Sequence, residues 1–548
     1  MKVLAAFLAT GALFAQTLEQ AESLWKQHQY EEANSEFRAL VAAHPRNALY
    51  RVRWGYLLFE RFNPADAAKL FNEALAIDPK RADALLGLAQ TAADGFEAAA
   101  AEYAHKALEV DPHLVAAQEL LARLALEDND PERAAAEAHK ALSMSAQAIQ
   151  AKAILATIDW LNDRSGAEWD PQAGAAYETA GRIFVLNRRY QEAIQLFRKA
   201  TAREPDLWSA HSQLGINLMR LGEERDARTE LEACYQAGYR DAATVNTLRL
   251  MDSYKNYVTY RTDRTVLRLH KKEAELLHPY FETELVRALN TYDKKYGFKL
   301  DRPVQVEVYP DHEDFAVRTM GLPGLGALGV TFGYVVAMDS PSGRPAGSFH
   351  WGSTLWHELS HVYVLGMTHH RVPRWFTEGL AVHEETAVSP EWGDRLDPQV
   401  IMAIKDNKLL PVERLDRGFV RPTYRAQVVV SYFEAGRICD YINSKWGWPT
   451  LLAMIHDFAA GAKTSDVIQK ELGTAPKDFD KEFLAALTAE TKKTVEGFEA
   501  WRSGYIRRND KQCRFKLRCE LLFFPSFCFP LLYHMSPIFG PHKVLSTI

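Results

Sequence analysis

Alanine recurs at positions 33, 67, 100 and 134, in steps of 34, 33 and 34 residues, and proline recurs at 45, 79 and 112 on the same beat. No other feature constrains this chain as tightly. A unit of that length is one supersecondary element that cannot bury its apolar face alone, so successive units must stack into a continuous core. The stretches "YEEANSEFRALVAAHP" and "PADAAKLFNEALAIDP" show the internal order: small residues at fixed positions, an aromatic between them, then proline. Small residues let two antiparallel helices approach closely, while Trp54, Phe71, Phe197 and Trp208 fill the space between successive pairs. The register resumes in "YQEAIQLFRKATAREP", with Ala193, Phe197, Ala200 and Pro205, and continues through Gly215, Ala227 and Leu231. Four units precede residue 146 and two run from about 173 to 239. The 59-residue step from Ala134 to Ala193 predicts a degenerate unit or a loop around Asp163 to Pro171. An unrelated helical bundle is the alternative, and the regular period argues against it.

The pattern resembles the tetratricopeptide repeat family and covers residues 17–250 as an all-α solenoid. That resemblance implies a concave groove that binds a protein partner or substrate segment. No residue in the repeats names the partner.

A chain of 548 residues is too long for one ordinary core and calls for two to four domains. Its 65 Lys and Arg against 71 Asp and Glu leave a net charge of -6, without the basic excess that nucleic-acid binding requires. At the N-terminus, Lys2 precedes an apolar run that ends in small residues near Ala12 and Ala15. A first helix of the solenoid would need a polar face, and residues 3–15 have none. Residues 1–15 therefore read as a signal peptide, which predicts export to the periplasm or the extracellular space. The run is too short for a stable membrane span, and no cysteine follows it to carry a lipid. Of the five cysteines, only Cys234 and Cys439 precede residue 513, so there is no disulfide framework and no C-x-x-C metal pair.

Beyond residue 250 the period stops. A helical segment, "KKEAELLHPYFETELVRALNTYDKKYG", ends at Gly297; "PVQVEVYP" alternates as a strand should, and "LGVTFGYVVAMDSP" reads as another strand. Residues 255–490 are thus expected to form a second domain of α+β type. Glycines 324, 326 and 329 spell G-x-G-x-x-G. A dinucleotide loop must open a helix, whereas a β-rich segment follows here, so the match is accidental.

The stretch "STLWHELSHVYVLG" places His357 and His361 four residues apart with Glu358 between them. On a helix the two imidazoles lie one turn apart on one side, which is the geometry for sharing a metal. Glu358 falls beside the metal rather than on it, where a carboxylate can take a proton from metal-activated water. Two polar residues that merely share a helix would read the same way. Seventeen residues beyond His361, "RVPRWFTEGLAVHEE" predicts a second helix that starts at Pro373, is anchored by Trp375 and Phe376, and carries Glu378 in its first turn. Gly379 and Ala381 carry little bulk and are expected to let this helix pack close to the first. Two histidines plus a glutamate leave a fourth zinc position open, as catalysis requires.

With these residues the chain resembles the gluzincin metallopeptidases, specifically the peptidase MA-like domain found with tetratricopeptide repeats. The resemblance rests on "LWHELSHVYVL" and "VPRWFTEGLAVHEE", continues through "SYFEAGRICDYINSKWG", and covers roughly 260–490. It implies that His357, His361 and Glu378 ligate one zinc ion per chain and that Glu358 is the general base. It also implies that the strand from Leu328 to Met338 is an edge strand that pairs with an extended substrate.

An oxyanion stabiliser is expected, because the tetrahedral intermediate carries charge. Tyr432 is the candidate, with Tyr424 close by; either also reads as a core aromatic. His369 and His370 read as solvated loop residues. Glu384 and Glu385 read as an acidic surface, with orientation of a ligand histidine by Glu385 as the alternative. From 510 to 548 the chain loses periodicity and reads as an irregular, aberrant tail. The whole predicts an exported zinc metallopeptidase with a repeat solenoid. The competing class is a non-catalytic scaffold whose peptidase-like domain binds chains without cutting them.

Overall fold

The computed structural model describes residues 17–162, 173–324, 326–392 and 396–520, with side chains to residue 503. The expected signal peptide, the expected loop at 163–171 and the tail beyond 520 lie outside the described residues. Residues 510–520 form the end of a helix that starts at Pro476. Two compact units divide the chain: residues up to 124 with 136–148, and residues 125–135 with 149 onward.

The first unit is built from helices α1 (Leu18–Lys26), α2 (Tyr30–Ala43), α3 (Ala48–Glu60), α4 (Pro64–Ile77), α5 (Ala82–Asp94) and α6 (Ala99–Val110). It also takes parts of α7 (Val115–Glu127) and α8 (Pro131–Met144). The small residues act as the repeat pattern requires. Gly55 and Gly87 both face the fully buried Phe71, whose ring leaves no room for a Cβ at either position. Ala33, Ala67 and Ala100 have no exposed surface.

The second unit continues with α9 (Ile149–Leu161), α10 (Gly174–Leu186), α11 (Tyr190–Arg203), α12 (Trp208–Arg220), α13 (Glu224–Gln236) and α14 (Ala242–Ser253). Gly181 packs on Phe197 and Gly215 on Leu231, so the same device recurs.

A five-stranded sheet follows, in the order β1-β2-β3-β5-β4. Strand β1 (Tyr257–Arg261) pairs antiparallel with β2 (Thr265–His270), and neither strand was apparent in the sequence pattern. Strands β2, β3 (Val304–Tyr309) and β5 (Val335–Asp339) are parallel. The edge strand β4 (Gly329–Phe332) runs antiparallel to β5. The single strand expected from Leu328 to Met338 is therefore a hairpin. Gly333 turns the chain with φ +70, a left-handed conformation that glycine adopts without strain, and only its first arm lies at the edge.

Around the sheet stand α15 (Ala274–Tyr296), α16 (His312–Met320), α17 (Trp351–Thr368) and α18 (Arg374–Val388). Helix α15 ends at Gly297 in the left-handed conformation, as its sequence predicts. Then come α19 (Pro398–Lys405), α20 (Leu415–Val420), α21 (Gln427–Trp446), α22 (Trp448–Ala459), α23 (Thr464–Leu472) and α24 (Pro476–Glu520).

Strand alternation divides the sheet's side chains between two cores. Val304, Val306, Val308, Val336 and Met338 join α15, α17 and α18. Tyr309, Val335 and Ala337 face the other way and share a core with residues of α10, α11, α12 and α14. The repeat helices from residue 174 onward therefore have no separate core. Among the described residues, no helix is long and apolar enough to cross a membrane, and Cys234 and Cys439 are buried free thiols.

Candidate metal centre

Helix α17 opens with His350, whose Nδ1 accepts from the Ser353 amide at 3.1 Å, and its buried face carries His357 and His361. One turn of helix places their rings 4.9 Å apart. Helix α18 has Pro373 as its N-cap and Trp375 and Phe376 buried beneath it. Glu378 is the fifth residue of that helix, opening its second turn rather than lying in the first.

Gly379 determines how α18 is seated. A Cβ there would lie 2.4 Å from the Ala435 carbonyl oxygen and 2.8 Å from Cys439 Sγ. The expected close approach is thus to α21, not to α17. Backbone meets backbone there because neither Gly379 nor Ala435 has bulk to hold the helices apart.

His361 Nε2 lies 3.2 Å and His357 Nε2 3.6 Å from Glu378 Oε2. One ligand atom from each of these three residues lies within 4.8 Å of the other two. Their remaining polar atoms are held from behind. His357 Nδ1 lies 2.8 Å from Glu385 Oε1, and His361 Nδ1 lies 2.8 Å from Thr377 Oγ1. Glu385 also accepts from the Ser353 hydroxyl. It therefore fixes the orientation of the His357 ring rather than lying on an open acidic surface. Glu384 is buried, bonded to Lys295 and Tyr296, while Glu385 is half-buried.

Burial raises the Glu378 carboxyl, but the Arg188 guanidinium and the two imidazoles outweigh it and hold its pKa well below the usual carboxylate range. For His357, hydrogen bonds to Glu378 and Glu385 outweigh burial and raise the pKa; for His361, burial prevails and lowers it. Two imidazoles and a carboxylate, each fixed by an outer partner, are a donor set that suits zinc and leaves one position open.

Glu358 is buried beside this cluster. Its Oε2 accepts from Thr331 Oγ1 of edge strand β4 at 2.7 Å. Gly329, the last glycine of the G-x-G-x-x-G run, opens β4 instead of a helix, and a Cβ there would lie 2.7 Å from Glu358 Oε1. The glycine makes room for the carboxylate.

The Tyr432 ring lies 6.3 Å from the His357 ring and packs edge-on to Phe419. Tyr424 lies under Lys408, with its hydroxyl buried and its pKa pushed up to about 12 by burial. The two histidines expected in solvent differ: His369 is exposed, whereas His370 is half-buried with its ring edge on Tyr190.

One participant had no signal in any local motif. Arg188 lies in the turn between α10 and α11 and reaches Glu378, donating from Nη2 to Oε1. Its side chain is 12% exposed and that of Glu378 is 3% exposed, so the pair is withdrawn from water.

Residues 285–489 match the Peptidase MA superfamily. Residues 18–82, 52–95 and 163–207 match the tetratricopeptide repeat model. The chain thus carries tetratricopeptide repeats followed by a Peptidase MA superfamily domain. No curated protein matches it. Similar solved structures include a tetratricopeptide repeat protein from Parabacteroides merdae, at 15% identity, covering 43% of this chain and 96% of that one, with a TM-score of 0.30. The pilF protein of Pseudomonas aeruginosa is 15% identical over 40% of this chain and 88% of its own, with a TM-score of 0.24. YrrB, described as a tetratricopeptide repeat protein with an unusual peptide-binding site, is 16% identical over 39% and 97%, with a TM-score of 0.20.

Proposed function

We propose that this protein is an exported, zinc-dependent peptidase whose repeats recruit its protein substrate or a partner. The observation that carries the reading is the convergence of His357 Nε2, His361 Nε2 and Glu378 Oε2 beside a buried Glu358. These three residues are the ones that would hold the metal. When bound there, zinc would supply Lewis acidity that polarises a carbonyl and acidifies water.

Glu358 then moves the proton: its carboxylate accepts one from the attacking water and returns it to the leaving amine nitrogen. Thr331 holds Oε2 of that carboxylate. Edge strand β4, which carries Thr331, offers a backbone to which an extended substrate can add as a further strand. Tyr432, beside His357, is the proposed oxyanion stabiliser. The apolar run at residues 3–15 supports export. Recruitment of a protein chain is supported by the repeats.

The test is zinc content of the purified full chain together with cleavage of an unstructured protein. About one zinc per chain and cleavage that is lost in Glu358→Gln are expected. A chain that takes up no zinc overturns the reading. Zinc uptake without cleavage of varied unfolded proteins favours the non-catalytic scaffold.

A further inference from the structure

The turns of consecutive repeats share a backbone signature. His28, Phe62, Phe96, Asn129, Arg188 and Gly222 all have positive φ, and apart from the long step to Arg188 they recur at the repeat period. The last three reach the peptidase-like part of the second unit. Asn129 Nδ2 donates to Asp416 Oδ2 at 3.2 Å. Asp416 Oδ1 in turn accepts from the Trp375 amide at the start of α18 at 2.7 Å. A Cβ on Gly222 would lie 3.5 Å from Val335 Cγ2 of β5. Between these two contacts, Arg188 meets Glu378 itself.

The carboxylate of Glu378 is divided between two sides. Oε2 faces the two imidazole Nε2 atoms, and Oε1 accepts from Arg188 Nη2. A guanidinium donates along fixed directions, so it holds both the rotation of the carboxylate and the choice of which oxygen faces the histidines. Without it, this directed donor to Oε1 is lost and the carboxylate gains freedom to rotate relative to the histidines.

We infer that Arg188 is a positioning residue of the metal centre, supplied by a repeat turn, which holds Glu378 to one metal-facing oxygen. It follows that the repeats from residue 174 complete the site as well as recruiting ligands. This inference rests on the zinc reading above.

The experiment uses the full chain with Arg188→Ala, with Arg188→Met, which keeps the aliphatic stem, and with Arg188→Lys. Zinc affinity is read by competition with a chromophoric chelator, and the visible spectrum of the cobalt-substituted protein is recorded for each variant. Removal of an outer partner of a metal ligand costs about 10- to 100-fold in affinity. That loss is expected in Arg188→Ala and Arg188→Met, with a changed cobalt spectrum, and Arg188→Lys should recover part of both. Asn129→Ala, which loosens the neighbouring turn without touching Glu378, should leave both readouts unchanged. If Arg188→Ala does not fold, Arg188→Met and Arg188→Lys carry the test.

Affinity within twofold of the parent, or a gain in affinity from relief of charge repulsion, overturns the inference while the zinc reading stands. An equal loss in Asn129→Ala also overturns it, since the effect would then belong to docking in general. A parent that binds no zinc overturns both.

Discussion

Glu385 Oε1 lies 2.8 Å from His357 Nδ1, which turns the far nitrogen of that ring toward Glu378. A ligand histidine with its second nitrogen fixed in this way is pre-aimed, and the carboxylate raises its basicity. Glu385→Gln keeps the shape and removes the charge. Zinc affinity should fall about 10-fold or more, which chelator competition will measure. Unchanged affinity would show that Glu385 does not tune the centre.

Glu358 and Glu378 are expected to separate on metal content. Glu358→Gln should retain about one zinc per chain and lose roughly 100- to 10,000-fold in activity, the usual range for a general base. Glu378→Ala should lose zinc as well. Metal analysis of the two purified variants, beside their cleavage rates, distinguishes base from ligand; equal zinc in both would remove Glu378 from the ligand set.

Gly379→Ala tests the seat of α18. The added methyl meets the Ala435 backbone, which cannot move aside as a side chain can, and overpacking of this kind costs about 1–3 kcal/mol. A lower unfolding temperature should be accompanied by weaker zinc binding, because Glu378 is the adjacent residue. A variant as stable as the parent would mean that α18 and α21 separate freely.

Glu307 sets an acid limit on stability. It is buried in β3 with Arg318 Nε at 2.7 Å from Oε2 and Arg268 Nη1 at 3.6 Å from Oε1. Burial raises its pKa, but the two guanidinium groups prevail and lower it from 4.5 to about 2. The folded state therefore binds this proton less readily than the unfolded state. The stabilisation is complete above pH 4.5 and is lost as the pH falls toward about 2. Glu307→Gln leaves Arg318 buried without its anion and should cost about 3–5 kcal/mol. Thermal unfolding at neutral pH measures the loss, and the variant should show a weaker pH dependence between 4.5 and 2.

Glu434 has the opposite sign. Burial in α21 raises its pKa from 4.5 to about 8, although the Leu410 amide donates to it at 3.1 Å. The folded state holds this proton more tightly, so stability falls as the pH rises through that window. Glu434→Gln keeps an acceptor for Leu410 and should flatten the decline, raising the unfolding temperature at pH 8. Parallel unfolding profiles for parent and variant between pH 5 and 8 would contradict this.

How much of this was legible in the sequence depends on the range of each interaction. The repeats show as a period because every unit packs on its neighbour at equivalent positions, so Ala33, Ala67 and Ala100 are all fully buried. His357 and His361 could be placed on one side of a helix because helix geometry is local. Glu378 was placed just inside a second helix, and with the two histidines it made a candidate donor set, which the structure brings together within 4.8 Å. The hairpin from Gly329 to Asp339 did not show, since two short apolar strands around Gly333 have the same spelling as one longer strand.

Glu385 was open between a solvated surface and an outer partner, because burial depends on what packs against α18. Gly379 was legible as a close approach, but its partner, Ala435, depends on how the helices assemble. Arg188 was hidden altogether. It belongs to a repeat turn 190 residues before Glu378, where any polar residue reads as solvent-facing. Local periodicity determines which residues share a helix face and hence which donors can form a cluster. What lies behind each donor, and whether water reaches it, is decided only when the sheet takes the repeat helices as one of its two cores.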